Sequence, residues 1–558
     1  MYIRLILILI FLVLFSNYSY SELFDDNYFF SKKLSDFEIN NTLDLNLWFV
    51  KVKNRIEYHK KNFKNTNYQE AEKELKQIEY LIKNKLKNKE TIIKKLRLCE
   101  LLLMPSKVVE NRGIYIDAES LPNNKLAITK LIRKIYIANF NVIYPETFFR
   151  GYSLVETPYT EKFKKTDFDI LKFIINEAKK YNIQVKPWIW TFRVKSPLYG
   201  NSFFNKYPYT MALKENPKFE DREPLFVSPA EPKARQIIHD IIIYIVKNYN
   251  VNGILLDYIR YDETNNEDIL SKKYFKEYYY KKYNRYPPEK ISNKNDFIEW
   301  QLWRENQVNI FISYLRNSIK QIKPNVDIGV SIFRTEKETR LIKMQNWKHW
   351  ANNNMIDFIA PMLYADNYKD LDLWIKTETK NNKRKDFYYP TIGLHRLYKN
   401  DDVFSLYYSI SSNYMLGLNL FSTYYLDDSL VYDLSKSIFR NKAIIPHNDI
   451  YKSIKTIIEY NNNRLKKINK LSKYQLKINS ILEKINRNNI EVYINEFLSV
   501  VNTIDKNYSE IKNEMLDDYY YMKKIFNVFQ QRERQKNFYT EPEIPEKLDE
   551  VFENDDTF

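Results

Sequence analysis

The amino-acid sequence predicts an α/β fold, a (β/α)8 TIM barrel with α-helical extensions on its N- and C-terminal sides. Three observations carry this. First, the seven glycines (Gly113, Gly151, Gly200, Gly253, Gly329, Gly393 and Gly417) all lie in one window of the 558-residue chain. Where glycine is this scarce, those retained mark positions where backbone geometry requires them. Second, within that window eight strand-like apolar runs alternate with amphipathic helical segments. Third, no Gly-rich phosphate loop follows the first strand, which disfavours an open nucleotide-binding sheet. Eight β-then-α units with right-handed crossovers close into a barrel.

The strands are read at 113–118, 141–146, 184–190, 253–259, 327–333, 356–364, 387–394 and 417–425. Between the first two, Ile128, Leu131, Ile132 and Ile135 keep helical spacing. Ahead of the third, Thr166 is placed to cap a helix that buries Phe168, Leu171, Ile175 and Ala178. Ser228-Pro229-Ala230-Glu231 reads as a capping box opening a helix with Ile237, Ile238, Ile241 and Ile245 on one face. Asp296 and Glu299 read as a second box, ahead of a helix reaching Lys320. Insertions at 196–228 and 262–295 leave the C-terminal ends of strands three and four and should wall a cleft.

The flanks read differently. Residues 1–21 form a secretory signal peptide: Arg4, the apolar run Leu5 to Phe15, then Ser19-Tyr20-Ser21 before a cut near Glu22. An uncleaved anchor is the alternative, although the run is shorter than the roughly 20 residues a span needs. No Cys follows it, so the protein is expected to be exported, periplasmic or secreted, and not a lipoprotein; no later stretch is long and apolar enough to span. Residues 22–110 form a helical N-terminal region, 111–435 the barrel, 436–540 a helical, coiled-coil-like C-terminal region, and 541–558 an acidic disordered tail. The C-terminal helices are either a docking module for a protein partner or a hairpin packed on the barrel.

Charge and composition exclude several functions. The net charge of +17 comes from Lys interspersed with Glu along the flanking helices, a solvated surface, and no nucleic-acid partner is expected. The single cysteine, Cys99, excludes internal disulfides and thiolate metal clusters, and its leucine neighbours make it a buried structural thiol. The five histidines lack ligand spacing, so neither a metal nor another cofactor is expected.

In such a barrel, chemistry belongs at the C-terminal ends of strands. Polar residues at those ends are Asp117 and Glu119 (strand one), Glu146 (two), Trp188 and Trp190 (three), Asp257, Tyr258 and Arg260 (four), Ser331 and Arg334 (five), Tyr364 and Asp366 (six), His395 (seven), and Tyr424 and Asp427 (eight). Carboxylates with aromatic walls suit glycoside cleavage: one carboxyl protonates the leaving oxygen, the other attacks the sugar or activates water, and aromatic rings stack on sugar faces. Asp257 leads, because Gly253-Ile254-Leu255-Leu256 must be buried on both faces and a carboxylate directly after it sits where core gives way to cleft. The other reading has Asp257 brace the rim against Arg260. Glu146 follows the same logic, with Arg150 placed to neutralise it. Asp117 and Glu119 either bind sugar hydroxyls or pair with Arg112. Trp188, Trp190 and Tyr364 either stack on sugar or fill the barrel. Asp366 and Glu336 are weaker acid candidates.

These residues also carry a family resemblance. Arg112 through Ala118, Asn139-Phe140-Asn141 running into Tyr144-Pro145-Glu146-Thr147, Gly253 through Tyr261, and Asp357 through Met362 with Tyr364 together resemble glycosyl hydrolase-like family 10. The resemblance covers about 110–430. Its most specific piece is Asp257-Tyr258-Ile259-Arg260-Tyr261; the Pro usual after it is Asp262 here. It implies a TIM barrel in a bacterial envelope or secreted protein. It further implies hydrolysis of glycosidic bonds in polysaccharide, with amino-sugar glycans such as peptidoglycan strands among the expected substrates and Asp257 and Glu146 at the site. A non-catalytic glycan-binding or envelope scaffold protein is the competing reading.

Overall fold

The computed structural model describes residues 42–84, 89–196, 202–214, 225–262, 268–289, 293–335, 337–380 and 387–534. The signal segment, the acidic tail and Glu336 lie outside the described residues. Strands β1 (Asn111–Ile116), β2 (Val142–Phe149), β3 (Trp188–Trp190), β4 (Gly253–Asp257), β5 (Asp327–Ile332), β6 (Phe358–Pro361), β7 (Thr391–Gly393) and β8 (Gly417–Phe421) run parallel around a barrel. A single ladder links them from β6 back through β5, β4, β3, β2, β1 and β8 to β7. The ring closes where the chain ahead of β7 meets β6: Ile359 N–H donates to Phe387 at 2.8 Å, and Tyr389 N–H to Ile359 at 2.8 Å.

The strand sequences explain the double burial. Alternate residues of each strand face opposite ways. Ile114, Ile143, Ile254, Leu256, Ile328 and Val330 pack outward against the helices. Tyr115, Tyr144, Trp188, Leu255, Phe358 and Tyr389 fill the inside. Those interior rings need space, and Gly329 supplies it: a Cβ there would lie 2.1 Å from the Phe358 ring.

Helix α1 (Thr42–Lys61), α2 (Tyr68–Lys83) and α3 (Lys89–Leu102) form an N-terminal unit with its own apolar core, which buries Cys99. Around the barrel lie α4 (Lys125–Ile137), α5 (Ile170–Lys179), α6 (Pro232–Asn248), α7 (Ile269–Tyr283), α8 (Lys294–Ile322), α9 (Tyr368–Lys380), α10 (Asn400–Ser412) and α11 (Asp428–Lys436). The cleft insertions contribute α7 and a short helix at Ser202–Lys206.

Several boundaries differ from the sequence reading for local reasons. The third strand breaks at Lys186-Pro187, because Pro187 has no N–H for the ladder; Gln184–Val185 pairs separately with β2. Helix α5 is capped by Asp169, not Thr166. Helix α6 starts one turn later than read: Glu231 accepts from the Lys233 N–H and Pro232 takes the first position, while Ser228 bonds Ala230 in the preceding turn. Helix α8 is capped by Asn293, whose side chain accepts from the Asp296 N–H at 2.9 Å, so Asp296 lies in the first turn rather than at the cap. Asp427 caps α11.

The C-terminal region folds back on the barrel's N-terminal end as α12 (Ile450–Lys466), α13 (Ser472–Lys484), α14 (Ile490–Asn502) and α15 (Ser509–Arg534). Their apolar faces are continuous with the barrel interior. The Tyr521 hydroxyl donates to the Val109 carbonyl at 2.9 Å, and Arg532 pairs with Asp357 at 2.9 Å. Among the described residues no helix is long and apolar enough to cross a membrane.

Candidate active site

The mouth is built by the ends of β1 to β4, joined by β8 and the turn after β7. Register places Glu146 opposite Trp188, and Trp190 opposite Asp257. The two leading carboxylates therefore sit on strands flanking β3, with the tryptophans between them.

Asp257 is 8% exposed. One carboxylate oxygen accepts from the Trp188 indole N–H at 3.0 Å, the other from the Tyr258 backbone N–H at 2.7 Å. Tyr258 has φ +49°, a left-handed conformation that costs a bulky residue about 1–2 kcal/mol and concentrates at functional sites. That turn folds the Tyr258 ring to 4.6 Å from Trp190. Burial pushes the Asp257 carboxyl above its ordinary range, against the pull of these two donors and of the Arg260 and Arg193 charges. Arg260 does not seal it: that guanidinium donates to the Tyr261 carbonyl at 2.9 Å and lies 3.9 Å from Asp262.

Glu146 is 4% exposed and accepts from the Ala118 N–H at 2.9 Å. Burial raises its carboxyl to about 8, and nearby Asp117 adds to the shift. At neutral pH it holds its proton. Arg150 does not neutralise it, because Arg150 forms an ion pair with the exposed rim residue Glu119. Asp117, half-buried, accepts from the Ser422 hydroxyl, and burial raises its carboxyl too. Neither Asp117 nor Glu119 pairs with Arg112, which lies at the opposite end of the barrel, fully buried, with Glu110 at 2.8 Å.

The tryptophans divide their roles. Trp188 stands edge-on to Tyr115 (5.2 Å) and Phe421 (5.9 Å), so it fills the barrel while its N–H holds Asp257. Trp190 lies higher, with the Arg150 and Arg193 guanidiniums 5.5 and 5.3 Å from its ring centre. Tyr364 is half-buried, edge-on to His395 at 5.2 Å. Gly393 makes room for both: a Cβ there would lie 2.7 Å from His395 and 2.9 Å from Tyr364. Asp366 stands apart, exposed and bound bidentately by Arg396 at 2.8 and 2.9 Å.

Three contributors lie outside the residues the sequence reading put in the site: Arg193, Ser422 and Phe421. Arg193 was findable, being three residues beyond Trp190 at the head of an insertion. Ser422 and Phe421 fall inside the strand read at 417–425 and were passed over because β8 ends at Phe421, earlier than read, which puts Phe421 and Ser422 rather than Tyr424 at the mouth beside β1.

Residues 110–387 match the family model described as Glycosyl hydrolase-like 10. Among curated proteins, the chain is 25% identical over 242 residues to glycosyl hydrolase YngK of Bacillus subtilis strain 168, covering 39% of this chain and 44% of that one. It is 23% identical over 218 residues to glycosyl hydrolase DigH of Escherichia coli K12, covering 35% and 46%. The matched part thus spans less than half the length of these relatives. Among solved structures, the glycoside hydrolase domain of PgaB (BpsB) from Bordetella bronchiseptica matches with 12% identity and a TM-score of 0.45, over 58% of this chain and 96% of that one.

Proposed function

We propose, from the premise that residues 110–387 form a glycosyl hydrolase-like 10 region, that this protein hydrolyses glycosidic bonds in an envelope or extracellular polysaccharide. Amino-sugar glycans such as peptidoglycan strands are the substrate class to test first. The observation that carries this reading is the pair of unlike carboxyl groups at the mouth. Glu146 is buried and protonated, suited to donate a proton to the leaving oxygen. Asp257 is pushed up by burial too, but two N–H donors and the Arg260 and Arg193 charges pull it back towards its anion, suited to attack the sugar or activate water.

In the proposed reaction, Glu146 gives its proton to the glycosidic oxygen as the bond to the anomeric carbon breaks. Asp257 balances the positive charge that develops there. Water then supplies the hydroxyl on the new reducing end, and its proton restores Glu146. Tyr364 lines the far side; burial keeps its phenol protonated, a donor for a sugar hydroxyl. Export through the N-terminal signal segment would bring the protein to such a substrate in the periplasm or outside the cell. The C-terminal helices, whose apolar faces already pack on the barrel, are scaffold in this account.

The test is incubation of the purified chain with peptidoglycan glycan strands and with poly-N-acetylglucosamine, with products read by mass spectrometry. Fragments whose summed mass exceeds that of the parent glycan by one water support the reaction. Binding of either glycan with no fragments would favour a glycan-binding scaffold instead.

A further inference from the structure

The base of the barrel holds a cavity that the reaction at the mouth does not use. It has a volume of about 340 Å³ and lies between the barrel floor and the C-terminal helices. Asp327, Asn354 and Phe387 line it from the barrel, and Ile490, Phe529 and Arg532 from α14 and α15. The second wall lies outside the matched residues 110–387, so the helical extension creates this space. Its volume is at the low end of the roughly 300–1,000 Å³ of small-molecule sites, which puts the lining groups within reach of one small ligand.

The charges around the cavity are matched. Arg532 pairs with Asp357 at 2.9 Å, and Arg487 with Asp449 at 2.6 Å on the exposed side. Asp327 is held by Lys186 at 2.7 Å, and Arg316 feels both Asp357 and Arg532. An ion of either sign would give up its water and meet charges of its own sign, so the site favours a neutral ligand.

The hydrogen bonds are not matched. Arg316, on α8, gives its Nε–H to the Asn354 carbonyl, and its two terminal nitrogens have no acceptor among the described residues. Lys186 and His447 both meet one oxygen of Asp327, and the other oxygen has no donor among the described residues. Asn354 is 6% exposed, and its side-chain oxygen has no partner. A ligand here must accept from Arg316 and donate to Asp327 and Asn354. A hydroxyl group does both. Phe387, Ile490 and Phe529 offer an apolar wall to the C–H face of a ring.

We infer that this cavity is a sugar site separate from the mouth, binding a neutral mono- or disaccharide through Arg316, Asp327 and Asn354. The inference does not depend on cleavage at the mouth.

The test is titration calorimetry of the full chain with glucose, galactose and N-acetylglucosamine, beside two charged sugars, glucosamine and glucuronate. At least one neutral sugar should bind about tenfold tighter than either charged one. Arg316→Met removes the donor and should weaken that sugar about tenfold. Asn448 lines the cavity with an exposed side chain, so Asn448→Trp fills the space without disturbing the core and should abolish binding, whether or not Arg316→Met folds. Glu146→Gln, at the mouth, should leave the affinity unchanged. Binding of no neutral sugar, equal binding of glucosamine or glucuronate, or parent-like affinity in Asn448→Trp would overturn the site. Glycan cleavage without this binding removes the site and keeps the reaction at the mouth; binding without cleavage does the reverse.

Discussion

The two ends of the barrel bury charge in opposite ways. At the N-terminal end, Lys186 is wholly buried but lies 2.7 Å from Asp327 and 3.2 Å from His447, whose other nitrogen meets the Tyr389 hydroxyl at 2.6 Å. Burial works against the Asp327 anion, yet Lys186 and His447 hold its carboxyl well below the ordinary range. At the C-terminal end, Glu146 and Asp257 are buried nearly as deeply but have no cation in contact, and both are pushed up. A barrel of one construction thus neutralises charge at its base and leaves it unneutralised at its mouth. The first arrangement holds strands together; the second stores the proton and the anion that glycoside cleavage needs.

The sharpest way to break this contrast is to remove the proton donor. Glu146→Gln should lower turnover by about 10²- to 10⁴-fold, the range typical of a lost general acid, without lowering the melting temperature. At the base, Lys186→Met should do the reverse, because it strands the Asp327 carboxylate. A buried charge left without its partner costs about 3–5 kcal/mol, so the melting temperature should fall by several degrees or more while any surviving folded protein keeps its turnover.

pH separates the ends next. The Glu146 pKa is raised from 4.5 to about 8 in the folded protein, so ionisation opposes folding. Its destabilising contribution grows as pH rises from about 4.5 to about 8, and activity should fall through about 8 as the acid loses its proton. The melting temperature of Glu146→Gln should therefore overtake that of the unsubstituted protein in this window and match it at lower pH. The Asp327 pKa is depressed, so its contribution is present above about 3.8 and is lost as pH falls below that. The smallest effect is expected from Trp188→Phe, which takes one donor from Asp257. Its pKa should rise further, moving the acidic limb of the rate profile to higher pH with a loss of turnover of about tenfold.

The same contrast explains what could be read before folding. Gly253-Ile254-Leu255-Leu256 announces a doubly buried strand, and Asp257 is legible because it ends that run. The barrel order follows from eight such runs. Pairing is harder to read, because long side chains choose partners in space. Arg150 lies four residues from Glu146 but reaches across to Glu119. Arg260, three residues from Asp257, turns towards Asp262. Asp366 resembles a strand-end acid in sequence, yet Arg396 from the next unit holds it at the surface. Caps slip by a turn where several acceptors crowd together, as with Ser228 and Glu231. Ser422 meets Asp117 only across the seam between β8 and β1.

The central claim is that Asp257 works at the mouth as a chemical group rather than as a brace. It is tested most directly by Asp257→Asn, assayed for release of glycan fragments by mass spectrometry beside a thermal melt. The account predicts no fragments and a melting temperature lowered by no more than several degrees, because the amide oxygen keeps one of the two N–H donors, Trp188 or Tyr258, and only the other loses its acceptor, at a cost of about 1–3 kcal/mol. Undiminished cleavage by Asp257→Asn, in a protein that melts as the parent does, would contradict it.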